Sequence, residues 1–114
     1  MKLDSVGQAL GNRILDLKDG RAANVIIGMP QRFPDGNDDF FCPFQIVGMG
    51  DERIRYAGGV DALQAVWLTL TMIGTILETS SEGQSGSLSW LGQSDLGFPR
   101  NGGAEPAYAD FDPR

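Results

Sequence analysis

Asp35, Asp38 and Asp39, in the run Pro-Asp-Gly-Asn-Asp-Asp, are the densest group of chemistry-bearing side chains in the chain. Carboxylates so spaced suit two tasks: oxygen ligation of a hard divalent cation, or a negative patch for a basic partner. The run lacks the graded ligand series and terminal glutamate of a helix-loop-helix calcium loop, so it reads as a solvated acidic loop. The sequence contains no histidine, which removes the side chain most used for proton transfer near neutral pH and most His-based nucleophilic and metal schemes. Its one cysteine, Cys42, builds neither a zinc site nor an internal bridge; within Phe-Phe-Cys-Pro-Phe it reads as a small buried hydrophobe in a reducing compartment. Gly48-Met49-Gly50 superficially matches a phosphate-cradling loop, but a third glycine and a following helix start are missing, which leaves a hairpin turn. The chemistry that remains is recognition: no catalytic residue, metal site or cofactor is expected, and the chain is not read as an enzyme.

The element that must organise the rest is Gly58 to Thr79. Leu63, Val66, Trp67, Leu70, Ile73 and Leu77 recur at helical spacing and predict a helix that lays this stripe on a core. Asp61 and Gln64 have the form of a capping box at its start, and Ser-Ser-Glu-Gly-Gln-Ser-Gly after Thr79 ends it. Between Asp61 and Glu78 the helix carries no charged residue, so the flank bearing Leu68, Met72 and Thr75 is either covered by the C-terminal third or is a contact surface; internal cover is the favoured expectation.

Upstream, Asn12–Lys18 alternates Leu15 and Leu17 against Asp16 and Lys18, Asp19-Gly20 supplies a turn, and Asn24–Met29 resumes as the second strand of a hairpin. A third strand over Phe40–Val47 has Phe40, Cys42, Phe44 and Ile46 on one face, with Pro43 pointing to an edge position or a nearby bulge. Glu52–Ala57 reads as a fourth strand with Arg53 and Arg55 outward, and Leu88–Leu91 as a last short one, with Trp67 and Trp90 both in the core. The expected fold class is α+β: an antiparallel β-meander of about four to five strands with one long amphipathic helix packed on one face. A single domain spans 1–100, followed by an acidic, Gly/Pro-containing tail over 101–114.

Sixteen glycines and six prolines in 114 residues fit a turn-rich sheet better than a helical bundle. The formal charge of −6 opposes phosphate neutralisation, so nucleic acid is not an expected partner and a basic protein surface is. The N-terminus has no signal-peptide pattern and no run reaches the ~20 apolar residues of a membrane span, so no membrane partner and a cytoplasmic location are expected.

The stretch CPFQIVGMGDERIRYAGGVDALQA, then the isoleucine-glycine step in the helix, SLSWLG and DLGFP, resembles an uncharacterised family of small bacterial proteins across about residues 42–99. Cys42, Pro43, Phe44, Gly48, Gly50, Asp51, Arg55, Tyr56, Gly59, Asp61, Gln64, Trp90 and Gly97 carry the likeness. Members look like the small acidic neighbours of secreted toxins, so the resemblance implies an immunity protein whose partner is a cognate toxin domain with a basic surface. On that reading Asp35, Asp38, Asp39, Asp51, Arg55, Glu105, Asp110 and Asp112 are the charged contacts, with Tyr108 and Phe111 as apolar anchors. Asp51 and Arg55 also suit a simple ion pair across their turn. The competing expectation is a self-associating homodimeric module joined through the uncharged helix flank or a sheet edge.

Overall fold

The computed structural model describes residues 1–36 and 38–99. Along the chain run β1 (Ala9–Leu17), β2 (Ala22–Gly28), β3 (Gln31–Arg32), β4 (Phe40–Val47), β5 (Arg55–Gly59), α1 (Ala62–Thr79), α2 (Ser81–Gln84) and β6 (Leu88–Ser89). The fold is α+β, as expected: one antiparallel sheet in the order β3-β4-β2-β1-β6, with β5 paired to β4, and α1 packed across β4 and β5.

The hairpin forms where the turn chemistry places it. Gly20 takes φ of 90°, the Gly20 amide donates to the Leu17 carbonyl at 3.0 Å, and Asp19 accepts from the Arg21 backbone and guanidinium at 3.0 and 2.7 Å. Those donors, the backbone N–H foremost, hold the Asp19 carboxyl below its ordinary range. Leu15 and Leu17 are buried while Asp16 and Lys18 face water, which is the predicted alternation; the strand simply begins earlier, at Ala9.

β3 continues the line of β2 beyond Pro30. Ile27 pairs with Phe44 and Gln31 with Phe41, so four steps on one chain oppose three on the other. This bulge falls opposite Cys42 and Pro43, where a residue without an N–H does least harm to a ladder. The bulge expectation therefore holds, whereas the edge expectation does not: β4 lies inside the sheet, with β5 on its other side. Both its faces are consequently buried from Phe41 to Phe44.

The fourth strand starts later than the sequence suggests. Residues Asp51–Ile54 stay outside the ladder because side chains satisfy their backbone: Asp51 accepts from the Arg53 amide at 2.9 Å, and Gln45 donates to the Glu52 carbonyl at 2.7 Å. β5 then runs through Gly58-Gly59, residues expected to lead into the helix.

α1 is capped as predicted. Asp61 accepts from the Gln64 amide at 2.8 Å, and the Gln64 side chain reaches back to the Val60 amide at 2.8 Å. At the other end Ser80 caps the helix and begins the single turn α2. The buried line, however, is Ala65, Thr69, Ile73 and Leu77, so the predicted stripe is correct at Ile73 and Leu77 and rotated elsewhere. Leu63 is 81% exposed, and Trp67 is half-buried. The cause is the close approach of helix to sheet. A Cβ on Gly59 would lie 2.5 Å from the Ala65 nitrogen, and the Thr69 hydroxyl donates to the Cys42 carbonyl at 2.9 Å. Only small side chains fit that seam, and the large ones turn to the flanks.

Below the helix the core gathers Leu15, Leu17, Val25, Phe44, Ile46, Met49, Ile73, Leu77 and Leu88. Trp90, expected in the core, packs against it half-buried. After β6, residues 90–99 form a strap along the helix-facing side of β1, with Pro99 beside Gly74.

Candidate functional site

The structure divides the charged residues nominated from sequence. Asp35, Asp38 and Asp39 are exposed in the loop before β4; Asp38 pairs with Arg32 at 3.1 Å, and the Asp39 carbonyl accepts from the Phe33 amide at 3.0 Å. Asp51 follows the far end of β4, and Arg55 pairs with Phe44 of that strand, four residues or roughly 13 Å along it from Phe40 at ~3.3 Å per residue. There Asp51 holds Arg53 at 3.1 Å and the half-buried Arg55 at 3.7 Å, the expected ion pair with a second arginine added. Glu105, Tyr108, Asp110, Phe111 and Asp112 fall outside the described residues. Among the described residues the nominated charges thus fall into two separate groups, and no three His, Cys, Asp or Glu side chains converge as a metal site would need.

Cys42 is fully buried. Its sulfur lies 3.4 Å from the Gly28 carbonyl, and burial pushes its thiol pKa up, which makes it an inert structural residue.

The surface that stands out is α1 itself. The helix is 18 residues long and apolar enough by length and composition to cross a membrane, yet it is docked on the sheet with only 22% of its residues buried. Val60 just before it is 69% exposed, Leu63 81% and Met72 37%. The strap packs at Gly74, where a Cβ would come within 2.7 Å of the Pro99 carbonyl and 3.1 Å of Phe98. Of the flank nominated from sequence, Leu68 and Thr75 are half-buried and Met72 is exposed; the tail, which the expectation of cover also invoked, lies outside the described residues.

Leu63, Trp67, Leu70 and Gly74 share one side of the helix by their spacing. Along that side runs a groove of about 210 Å³, floored by Val25 and Ile27 and lined by Leu10, Gly11, Leu70 and Phe98. Its lower wall depends on Arg13, which sequence reading passed over. The Arg13 guanidinium lies 3.8 Å from the centre of the Trp90 ring and 4.8 Å from that of Phe98, and it donates to the Leu96 carbonyl at 3.0 Å. Gly97, with φ of 80°, leaves the space: a Cβ there would sit 2.5 Å from Trp90 and 2.6 Å from Arg13. A cation between two aromatic faces holds the strap to β1 and loses its own exposed charge in doing so. The available signal was parity, because Arg13 alternates with Leu15 and Leu17 and so faces the core side.

The motif residues mostly build this frame. Gly48 takes φ of 103° and donates to the Glu52 carboxylate at 2.9 Å, while Asp51, Gly59, Asp61 and Gln64 hold the loop, the seam and the cap described above. Comparison with family models matches residues 11–100 to one described as "Domain of unknown function (DUF6968)", a span that takes in the hairpin and the whole strap as well as the motif. Neither the curated proteins nor the solved structures contain a match.

Proposed function

From the premise that the chain belongs to the family described as Domain of unknown function (DUF6968), we propose that it is a non-enzymatic protein-binding module, most concretely an immunity protein that occludes a toxin effector domain. The single observation that carries the binding reading is α1: a helix with no charge between Asp61 and Glu78, buried at only four positions, with large apolar side chains turned outward. Monomeric surfaces seldom leave such a stripe without use. The charge of −6 and the exposed Asp35–Asp39 loop supply the second half, a field that speeds encounter with a basic partner. In this division of labour the exposed apolar residues on the two sides of α1 set residence time and the acids set the rate of arrival.

The test is binding kinetics against the product of a toxin gene adjacent to this one, at two ionic strengths, with growth rescue on co-expression. Asp35, Asp38 and Asp39 changed together to Asn are expected to slow association several-fold and flatten its salt dependence, with dissociation little changed. Leu63→Glu with Met72→Glu is expected to speed dissociation at least tenfold. Rescue that survives both sets of changes rules out these residues as the interface; absence of binding and rescue by the wild type rejects that pair. A concentration-dependent dimer in sedimentation, abolished by the Leu63/Met72 pair, assigns the exposed apolar surface of α1 to self-association instead.

A further inference from the structure

The unused feature of the sheet is its long edge. β1 spans nine residues, but on the side away from β2 only Asp16 and Leu17 are paired, to the two-residue β6. Among the described residues no strand lies along the outer side of Ala9–Leu15. Proteins normally blunt such edges with lysine, proline, a short strand or a cover. The opposite edge is treated that way: β5 has five residues, two of them glycine, and passes into α1. From Ala9 to Leu15 there is neither lysine nor proline, and the one charged residue, Arg13, is held in its aromatic clamp. Among the described residues the one device present is a bulge at Ala9/Gly11, at the far end of the strand.

Beside this open ladder lies the groove, on the helix-facing side of the same strand. The two features fit one kind of ligand, because an added strand sends every second side chain to one face of the sheet. Gly11 marks the place where those side chains enter: the position of its missing Cβ has no atom within 4 Å. The net charge of −6 favours basic residues around such a segment.

Resting on the reading of a protein partner given above, we infer that the partner engages by strand addition: an extended segment, apolar at alternate residues and flanked by basic ones, pairs with the outer edge of β1 and seats its apolar side chains in the groove between Gly11 and Leu70. Backbone pairing gives the affinity, and the groove selects the side chains.

The probe is a labelled peptide, Lys-Lys-Val-Thr-Val-Thr-Val-Lys-Lys, titrated against the full chain. Two controls share its charge: one with the valines made contiguous, and one with proline for the central valine. The alternating peptide is expected to bind at least tenfold more tightly than either control and to slow amide exchange at Gly11–Leu15 at least tenfold. Gly11→Val, which fills open space in a strand, is expected to keep the melting temperature while weakening the peptide at least tenfold. Equal binding of all three peptides, binding without protection of Gly11–Leu15, or binding unaffected by Gly11→Val overturns the proposal. Peptide binding that appears only after residues 101–114 are deleted, or a dimer that Gly11→Val dissolves, overturns it in favour of the chain's own end or a second copy. Failure of the peptide beside continued, Leu63/Met72-sensitive binding of a toxin partner sinks strand addition alone and leaves the protein-binding reading intact.

Discussion

Ile73→Ala is expected to destabilise the domain by about 2–5 kcal/mol, while Leu63→Ala, on the same helix, stays within about 0.5 kcal/mol of wild type. Ile73 has no exposed surface and Leu63 is 81% exposed, although by sequence they belong to one apolar stripe. Truncating Ile73 loses the transfer free energy of the removed carbons and leaves a cavity against Leu77 and the sheet that a close-packed interior does not fill. For a domain of this size such a loss is a large part of the total stability. Urea denaturation of the two variants reads the helix rotation directly: equal losses at both positions would mean that the Ala65–Thr69 seam is misplaced.

Gly48→Ala comes second, with an expected loss of about 2–6 kcal/mol from two additive causes. A φ of 103° is strained for any residue with a side chain, which costs ~1–3 kcal/mol. The added Cβ would also stand 2.5 Å from the Ala22 carbonyl and 3.2 Å from the Ala23 Cα, backbone atoms of β2 that cannot swing aside, at a further ~1–3 kcal/mol. Gly20→Ala is the internal control: its φ is 90°, yet nothing lies within 4 Å of the new carbon, so it should show the backbone cost alone. If the two variants melt together, packing of the Gly48 turn onto β2 contributes nothing.

Local chemistry was legible in the sequence, and geometry set by distant contacts was not. The Asp19-Gly20 turn, the alternation around Leu15, the bulge near Pro43 and the Asp61/Gln64 cap each depend on residues within a few positions of one another, and each is where periodicity and turn preference put it. The helix rotation depends on how closely α1 approaches β5 at Gly59, a tertiary quantity; hydrophobic periodicity finds a helix but does not say whether Leu63 or Ala65 meets the sheet. The late start of β5 follows from Asp51 and Gln45 satisfying backbone groups that a strand would otherwise pair. The Arg13 clamp joins residues 83 positions apart, and only the parity of Arg13 with Leu15 hinted at it. For the site, the acids were found but the separation of the Asp35–Asp39 loop from Asp51 was not, since no local signal reports which strand residues pair.

That same limit applies to the uncharged helix, which was noticed without a signal of which of its sides meets the strap. The absence of charge from Asp61 to Glu78 is a sequence fact, but cover by the C-terminal third was the favoured outcome. Up to Pro99 the strap meets the helix at Gly74, where glycine admits Phe98 and Pro99, on the side of the helix away from Met72.

The central claim, that α1 presents accessible apolar contact surface on both sides of its buried line, is tested most directly by the thermal unfolding of the full chain carrying Leu63→Glu and Met72→Glu. The account predicts an unchanged circular dichroism spectrum and a melting temperature within about 2 °C of wild type, since two carboxylates on an exposed face bury no charge. A fall as large as that of Ile73→Ala would show that the flank is packed within the chain itself and would contradict the claim.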